Sequence, residues 1–132
     1  MRAQRLWWCL PAMVLCAADG LLTLWGQPAE YWSGGYALVR EDNPLAAWLL
    51  TVHPLAFAAA ALPYLLVVVG TVMALPRRWA AAAAVGIASA HAFAVGLWCQ
   101  FLFRQPLLPL AGLGLVVIGL SVIAWRQGRI AR

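Results

Sequence analysis

Residues 54–75 read PLAFAAAALPYLLVVVGTVMAL, a run from Pro54 to Leu75 without a single charge. About 20 apolar residues are what an α-helix needs to cross roughly 30 Å of hydrocarbon. In lipid, only helices and closed barrels satisfy their own backbone groups, and the two-residue alternation of a barrel strand is absent here. This stretch therefore reads as a transmembrane helix. Working outward from it, three more apolar runs of similar length appear at 6–25, 79–103 and 107–125. With 65% hydrophobic and 10% charged residues, the chain falls outside the composition of soluble globular domains. The expected fold is all-α: a polytopic membrane protein of four transmembrane helices, one integral membrane domain over residues 1–132. Little chain is left for a soluble catalytic domain.

The net charge of +5 is distributed as membrane topology requires, not as a nucleic-acid surface. Arg2 and Arg5 precede the first run, Arg77 and Arg78 separate the second and third, and Arg126, Arg129 and Arg132 follow the fourth. Four crossings put all of these on one side. The other side carries Arg40 and Arg104 with Glu30, Glu41 and Asp42. Lys and Arg accumulate on cytoplasmic loops, so both termini are expected to be cytoplasmic, with membrane lipid and no nucleic acid as partner. Trp7, Trp8, Trp79 and Trp125 fall at the inner boundary, and Trp25, Trp32 and Trp48 at the outer one, as two aromatic belts. Trp98 lies inside the third run and is expected to pack there. The N-terminus resembles a signal peptide only superficially, because the apolar run continues past Cys16-Ala17-Ala18 to Trp25. Cys9, Cys16 and Cys99 read as small apolar packing residues.

The connection 26–53 is the long one. It holds Gly34-Gly35, three of the four acids, and the aromatics Tyr31, Trp32 and Tyr36. Asn43-Pro44 is a helix start, with Asn as cap and Pro in the first turn. It opens a short apolar half-helix, expected at the outer interface, that His53-Pro54 interrupts. In the third run, Ala84, Ala88, Ala92 and Gly96 recur every four residues, a small-residue stripe that lets helices approach closely. That run is expected at the bundle centre or at a contact between copies.

Two side chains sit where lipid should exclude them. Asp19 lies ~20 Å from the inner end of the first helix, at 1.5 Å per residue. Cys16 and Thr23 share its face. His91 lies ~18 Å beyond Trp79, nearly the same depth. The two could pair across the bundle; the plainer reading is a His91 packed among alanines and bonded to a carbonyl or Ser89. A central acid costs about 2.5–3.5 kcal/mol on insertion scales, so such residues are functional candidates by default. Haem held between His53 and His91 is excluded by depth, ~33 Å against ~18 Å from the inner side. A single-histidine haem or chlorin through His91 stays open. A metal held by Cys16, Asp19 and His91 would have only three ligands of mixed hardness, so none is expected. Glu41 and Asn43 form either a polar site at the outer mouth or a plain helix cap. No GxSxG, HExxH or phosphate-binding glycine loop occurs.

The segments Asp19-Gly20-Leu21-Leu22-Thr23, Glu41-Asp42-Asn43-Pro44-Leu45 and Pro54-Leu55-Ala56-Phe57 together resemble an uncharacterised family of small prokaryotic integral membrane proteins. Its pattern is Asp-x-x-x-Thr late in the first helix, Glu-x-Asn-Pro after a loop, and Pro-x-x-Phe opening the second. The match covers roughly residues 15 to 57. The resemblance implies a prokaryotic inner membrane and a common site for Asp19, Thr23, Glu41, Asn43 and Pro44. It implies no activity. Composition and short hairpins favour a non-catalytic accessory or scaffolding subunit that packs against other membrane chains or itself. The alternatives are a small intramembrane enzyme or ion-coupled carrier built on Asp19, Thr23, Glu41 and His91, or a pigment- or haem-binding subunit.

Overall fold

The computed structural model describes residues 2–104 and 107–130. Every regular element among them is helical: α1 (Arg2–Trp25), α2 (Ala29–Trp32), a 3-10 turn (Tyr36–Leu38), α3 (Pro44–Val52), α4 (Pro54–Ala74), α5 (Arg77–Phe103) and α6 (Leu107–Ile130). Three of these are long and apolar enough to cross a membrane, over Arg5–Trp25, Pro54–Ala74 and Arg77–Phe103. Their outward faces suit lipid, with Leu21, Leu55, Leu66, Val85 and Phe93 all largely exposed.

The helices outrun the apolar segments. α1 begins at Arg2 instead of Leu6, α5 at Arg77 instead of Trp79, and α6 continues to Ile130, beyond Trp125. Backbone hydrogen bonding does not stop where hydrocarbon does, and Arg is a good helix former. Gln105 and Pro106, where the sequence places the second hairpin, lie outside the described residues, as does Arg132.

Local chemistry sets the breaks. Asn43 Oδ1 accepts from the backbone N–H of Leu45 (3.0 Å) and Ala46 (3.4 Å), capping α3 with Pro44 in its first turn. His53, extended before Pro54, ends α3 and caps α4, its Nδ1 accepting from Leu55 N–H at 3.1 Å. Arg104 ends α5 in the left-handed region at φ 52°.

At the end of the bundle rich in Arg, Arg5 Nη1 donates to the carbonyls of Met73 (3.0 Å) and Leu75 (2.7 Å). These belong to the last turn of α4 and its cap, so Arg5 ties the start of α1 to the end of the antiparallel α4. Beside this clasp, Cys9, Val72, Ala80 and Ala84 form a buried cluster covered by Trp8, Met13, Val69 and Leu75.

α1 touches α4, α5 and α6, and its contact with α5 is the most extensive in the bundle. The small-residue stripe favours the Ala-rich third run as the centre, but α1 takes that place, and buries Cys9, Ala12, Leu15 and Thr23. The helix pairings explain this: α1 packs against α4, α5 and α6 alike, whereas α5 meets α6 only narrowly. The stripe on α5 faces inward: Ala84 is buried and Ala88, Ala92 and Gly96 are half-buried. Gly96 lies against Leu110 of α6, whose Cδ2 would be 3.7 Å from an added β-carbon.

α1 and α5 run parallel and stay in register. Asp19 meets His91 at a separation of 72 residues, and two helical turns further on Gly26 meets Trp98 at the same separation. A seven-residue step returns a helix to nearly the same face, as in coiled coils. Gly26 is buried under the Trp98 indole, where a β-carbon would come within 2.0 Å of the ring.

Segment 26–53 folds as an ordered cap. Tyr31 is fully buried and its hydroxyl donates to Leu50 O at 3.0 Å. Trp32 and Tyr36 each pack edge-on or tilted against it, 5.3 Å between centroids, and Tyr36 continues to His53 at 5.2 Å. Burial is the main reason the Tyr31 hydroxyl titrates above its ordinary value, with Tyr36 adding to it. Gly34 turns the chain with φ 97°, a backbone region that favours glycine.

Candidate functional site

The polar anomalies of the sequence converge on one cavity. It encloses about 630 Å³ between α1, α4 and α5, beneath α3 and the segment that leads into it. α1 supplies the back wall with Cys16, Asp19, Gly20 and Thr23, which stand at i, i+3, i+4 and i+7 and so share one helix face.

His91 sits at the floor. Its Nδ1 lies 2.8 Å from Asp19 Oδ2, and its Nε2 lies 2.9 Å from the Tyr64 hydroxyl on α4. With Asp19 protonated, its O–H donates to Nδ1; with Asp19 ionised, Nδ1 carries a proton and donates to it, because a carboxylate only accepts. In the neutral ring, Nε2 then accepts from Tyr64 O–H; in the imidazolium, Nε2–H donates to the Tyr64 oxygen. Asp19 thus orients the ring and sets its tautomer, as carboxylates do for functional histidines. The side chains of His91 and Asp19 retain only 17% and 19% of their exposure, whereas Tyr64 is 44% exposed. The chain Asp19–His91–Tyr64 therefore runs along the cavity wall from α1 across α5 to α4, and is most exposed at Tyr64.

The mouth is built by the loop. Thr23, 3% exposed, donates from Oγ1 to Glu41 Oε2 at 3.3 Å, and Asn43 N–H donates to Glu41 Oε1 at 2.8 Å. Glu41 thereby bridges α1 and the start of α3, beyond what helix capping requires. Gln27, 6% exposed, holds the approach to this corner: its Nε2 donates to Thr23 O (2.7 Å) and Arg40 O (2.9 Å), and its Oε1 accepts from Arg40 N–H (2.8 Å). With its backbone held, Arg40 lays its guanidinium 4.6 Å from the centroid of the Phe101 ring. Among the described residues no buried side-chain nitrogen or oxygen lacks a partner.

The structure brings Asp19, Thr23, Glu41, Asn43 and His91 to one cavity. Ala84, Ala88, Ala92 and Gly96 lie outside its lining and serve packing. His53 lies elsewhere, as cap of α4. Four participants escaped the sequence reading. Tyr64 carries a usable signal: it lies eleven residues before Leu75, about 16 Å from that end at 1.5 Å per residue, nearly level with His91. Gln27 and the Arg40–Phe101 stack carry none, since both depend on how the loop folds back.

Both ring nitrogens of His91 are engaged, so a haem or chlorin could bind it only by displacing Tyr64 or Asp19. Among the described residues, no three His, Cys, Asp or Glu side chains converge as a metal-binding group. No family model, curated protein or solved structure matches the chain.

Proposed function

We propose that this protein is a small ion-coupled carrier of a prokaryotic inner membrane, which takes a lipophilic small molecule into the cavity and couples its occupancy to a proton on the Asp19–His91–Tyr64 chain. The observation that carries this reading is that chain itself, lying along the wall of a cavity within the roughly 300–1,000 Å³ range of small-molecule sites. Ionisable groups inside membrane helices characteristically mark ion and proton paths. In this topology α6 is the fourth crossing, both termini are cytoplasmic and α3 lies at the outer interface, a placement supported by the Arg distribution. The cavity then opens in the outer half of the membrane.

The accessory or scaffolding subunit is the second reading. Its support is the small-residue stripe, but Ala84 is buried in the cluster with Cys9 and Val72, and Gly96 faces Leu110 of the same chain. The stripe is used internally, which favours the carrier.

Native mass spectrometry of protein extracted gently from its own membrane tests the choice. The expected result is a monomer or small homo-oligomer carrying a small-molecule adduct, which is lost in Ala94→Phe, a variant that fills the cavity. Recovery with reproducible partner chains and no adduct would instead establish the subunit reading.

A further inference from the structure

Resting on the carrier reading, we propose that the cavity's ligand is a lipophilic organic cation. Three features of the lining lead there independently.

The first is charge. The cavity lining contains the acids Asp19, Glu41 and Asp42 against Arg40 and His91. His91 answers Asp19 at 2.8 Å. That leaves Glu41 and Asp42 facing the single guanidinium of Arg40, a net negative mouth. Glu41 is held there by Thr23 and by the Asn43 backbone, each bonded to one of its carboxylate oxygens. An anionic ligand would enter against this field, and a neutral one would gain nothing from it.

The second is the aromatic wall. Phe57, Tyr64, Phe93, Trp98 and Phe101 all line the cavity. Aromatic faces attract cations through their quadrupole, most strongly where water is excluded. The wall already holds one: the Arg40 guanidinium sits on the Phe101 face at 4.6 Å. The chain's own side chain thus shows that this surface receives a planar, delocalised cation.

The third is access. Phe93, Leu97 and Phe101 line the cavity, yet remain 71%, 50% and 51% exposed. Spaced four residues apart, they form one edge of α5. The cavity therefore opens sideways, onto the apolar exterior of the bundle. A strongly hydrated cation does not reach that side, whereas an organic cation that partitions into lipid does.

The test uses two probes of matched size and shape and opposite charge, tetraphenylphosphonium and tetraphenylborate, with the purified full-length protein in nanodiscs. Equilibrium dialysis is expected to show saturable binding of the phosphonium. Glu41→Gln combined with Asp42→Asn, which keeps the Thr23 contact and alters an exposed position, should weaken it at least tenfold. The borate should bind far more weakly. Equal binding of both ions, or phosphonium binding unchanged in the double variant, would overturn the cation assignment; loss of binding in Ala94→Phe would then still uphold the cavity as a site. If neither ion binds and no adduct accompanies the native protein, the cation assignment and the carrier reading fall together.

Discussion

Asp19 and His91 stand 72 residues apart in the chain, yet their side chains meet at 2.8 Å. They come from parallel helices in one register, and the contact orients an imidazole whose other nitrogen faces Tyr64. Polar pairs between membrane helices contribute about 0.6–2 kcal/mol, because the unfolded chain in lipid also finds partners. A double-mutant cycle of Asp19→Asn and His91→Gln, read by reversible unfolding in mixed micelles, should give a coupling in that range. A coupling indistinguishable from zero would show that the pair does not act as a unit.

The contact two turns along is a matter of volume alone. A β-carbon at Gly26 would lie 2.0 Å from the Trp98 ring, so Gly26→Ala must push the indole aside. Overpacking of this kind costs roughly 1–3 kcal/mol. Gly26→Ala should lower the thermal midpoint, and adding Trp98→Leu should restore part of the loss. If the double variant is less stable than Gly26→Ala alone, the steric account is wrong.

Arg5 holds two carbonyls at the end of α4. Hydrogen bonds from a charged donor contribute about 1.5–3 kcal/mol. Arg5→Met keeps the apolar stem and removes both bonds. The expected outcome is faster amide exchange confined to the last two turns of α4, with Arg5→Lys intermediate. Unchanged exchange at Thr71 to Leu75 would remove Arg5 as the clasp.

Tyr31 makes the cap sensitive to alkali. Its hydroxyl titrates above its ordinary value in the folded protein, chiefly through burial. A raised folded value means that the folded state holds the proton more tightly than the unfolded one. The stabilisation is thus complete below the unfolded value, near 10, and is lost as pH rises through the folded value. Tyr31→Phe should abolish this alkaline loosening and cost about 1 kcal/mol at neutral pH through the missing bond to Leu50 O. Hydrogen exchange or proteolysis of segment 26–53 measured across pH reads both effects; the same alkaline profile in Tyr31→Phe would assign the loosening to another group.

Much of the architecture is legible in residues alone. Unbroken apolar runs identify the long helices, because lipid allows little else. Asn43-Pro44 and His53-Pro54 announce the start and end of α3 through capping and the missing proline N–H. The fixed rise of 1.5 Å per residue also places Asp19 and His91 at one depth from residue numbers alone.

Depth along a helix is a one-dimensional quantity, however, and direction around it is another. In water, an amphipathic stripe reveals which face is inward. In a membrane helix both the lipid and the core are apolar, so a run such as Pro54 to Leu75 does not say where Tyr64 points. Only the assembled bundle turns Tyr64 toward His91, sets α1 and α5 in parallel register, and places α1 at the centre. The same holds for Gln27 and Arg40, which meet because the loop folds back over α1 and the Phe101 ring on α5. Sequence determined which polar residues interrupt the apolar helices and how far along them they lie. Tertiary packing alone decided which of them face one another, because that choice rests on side-chain volumes at helix contacts, and Gly26 beneath Trp98 is the plainest case.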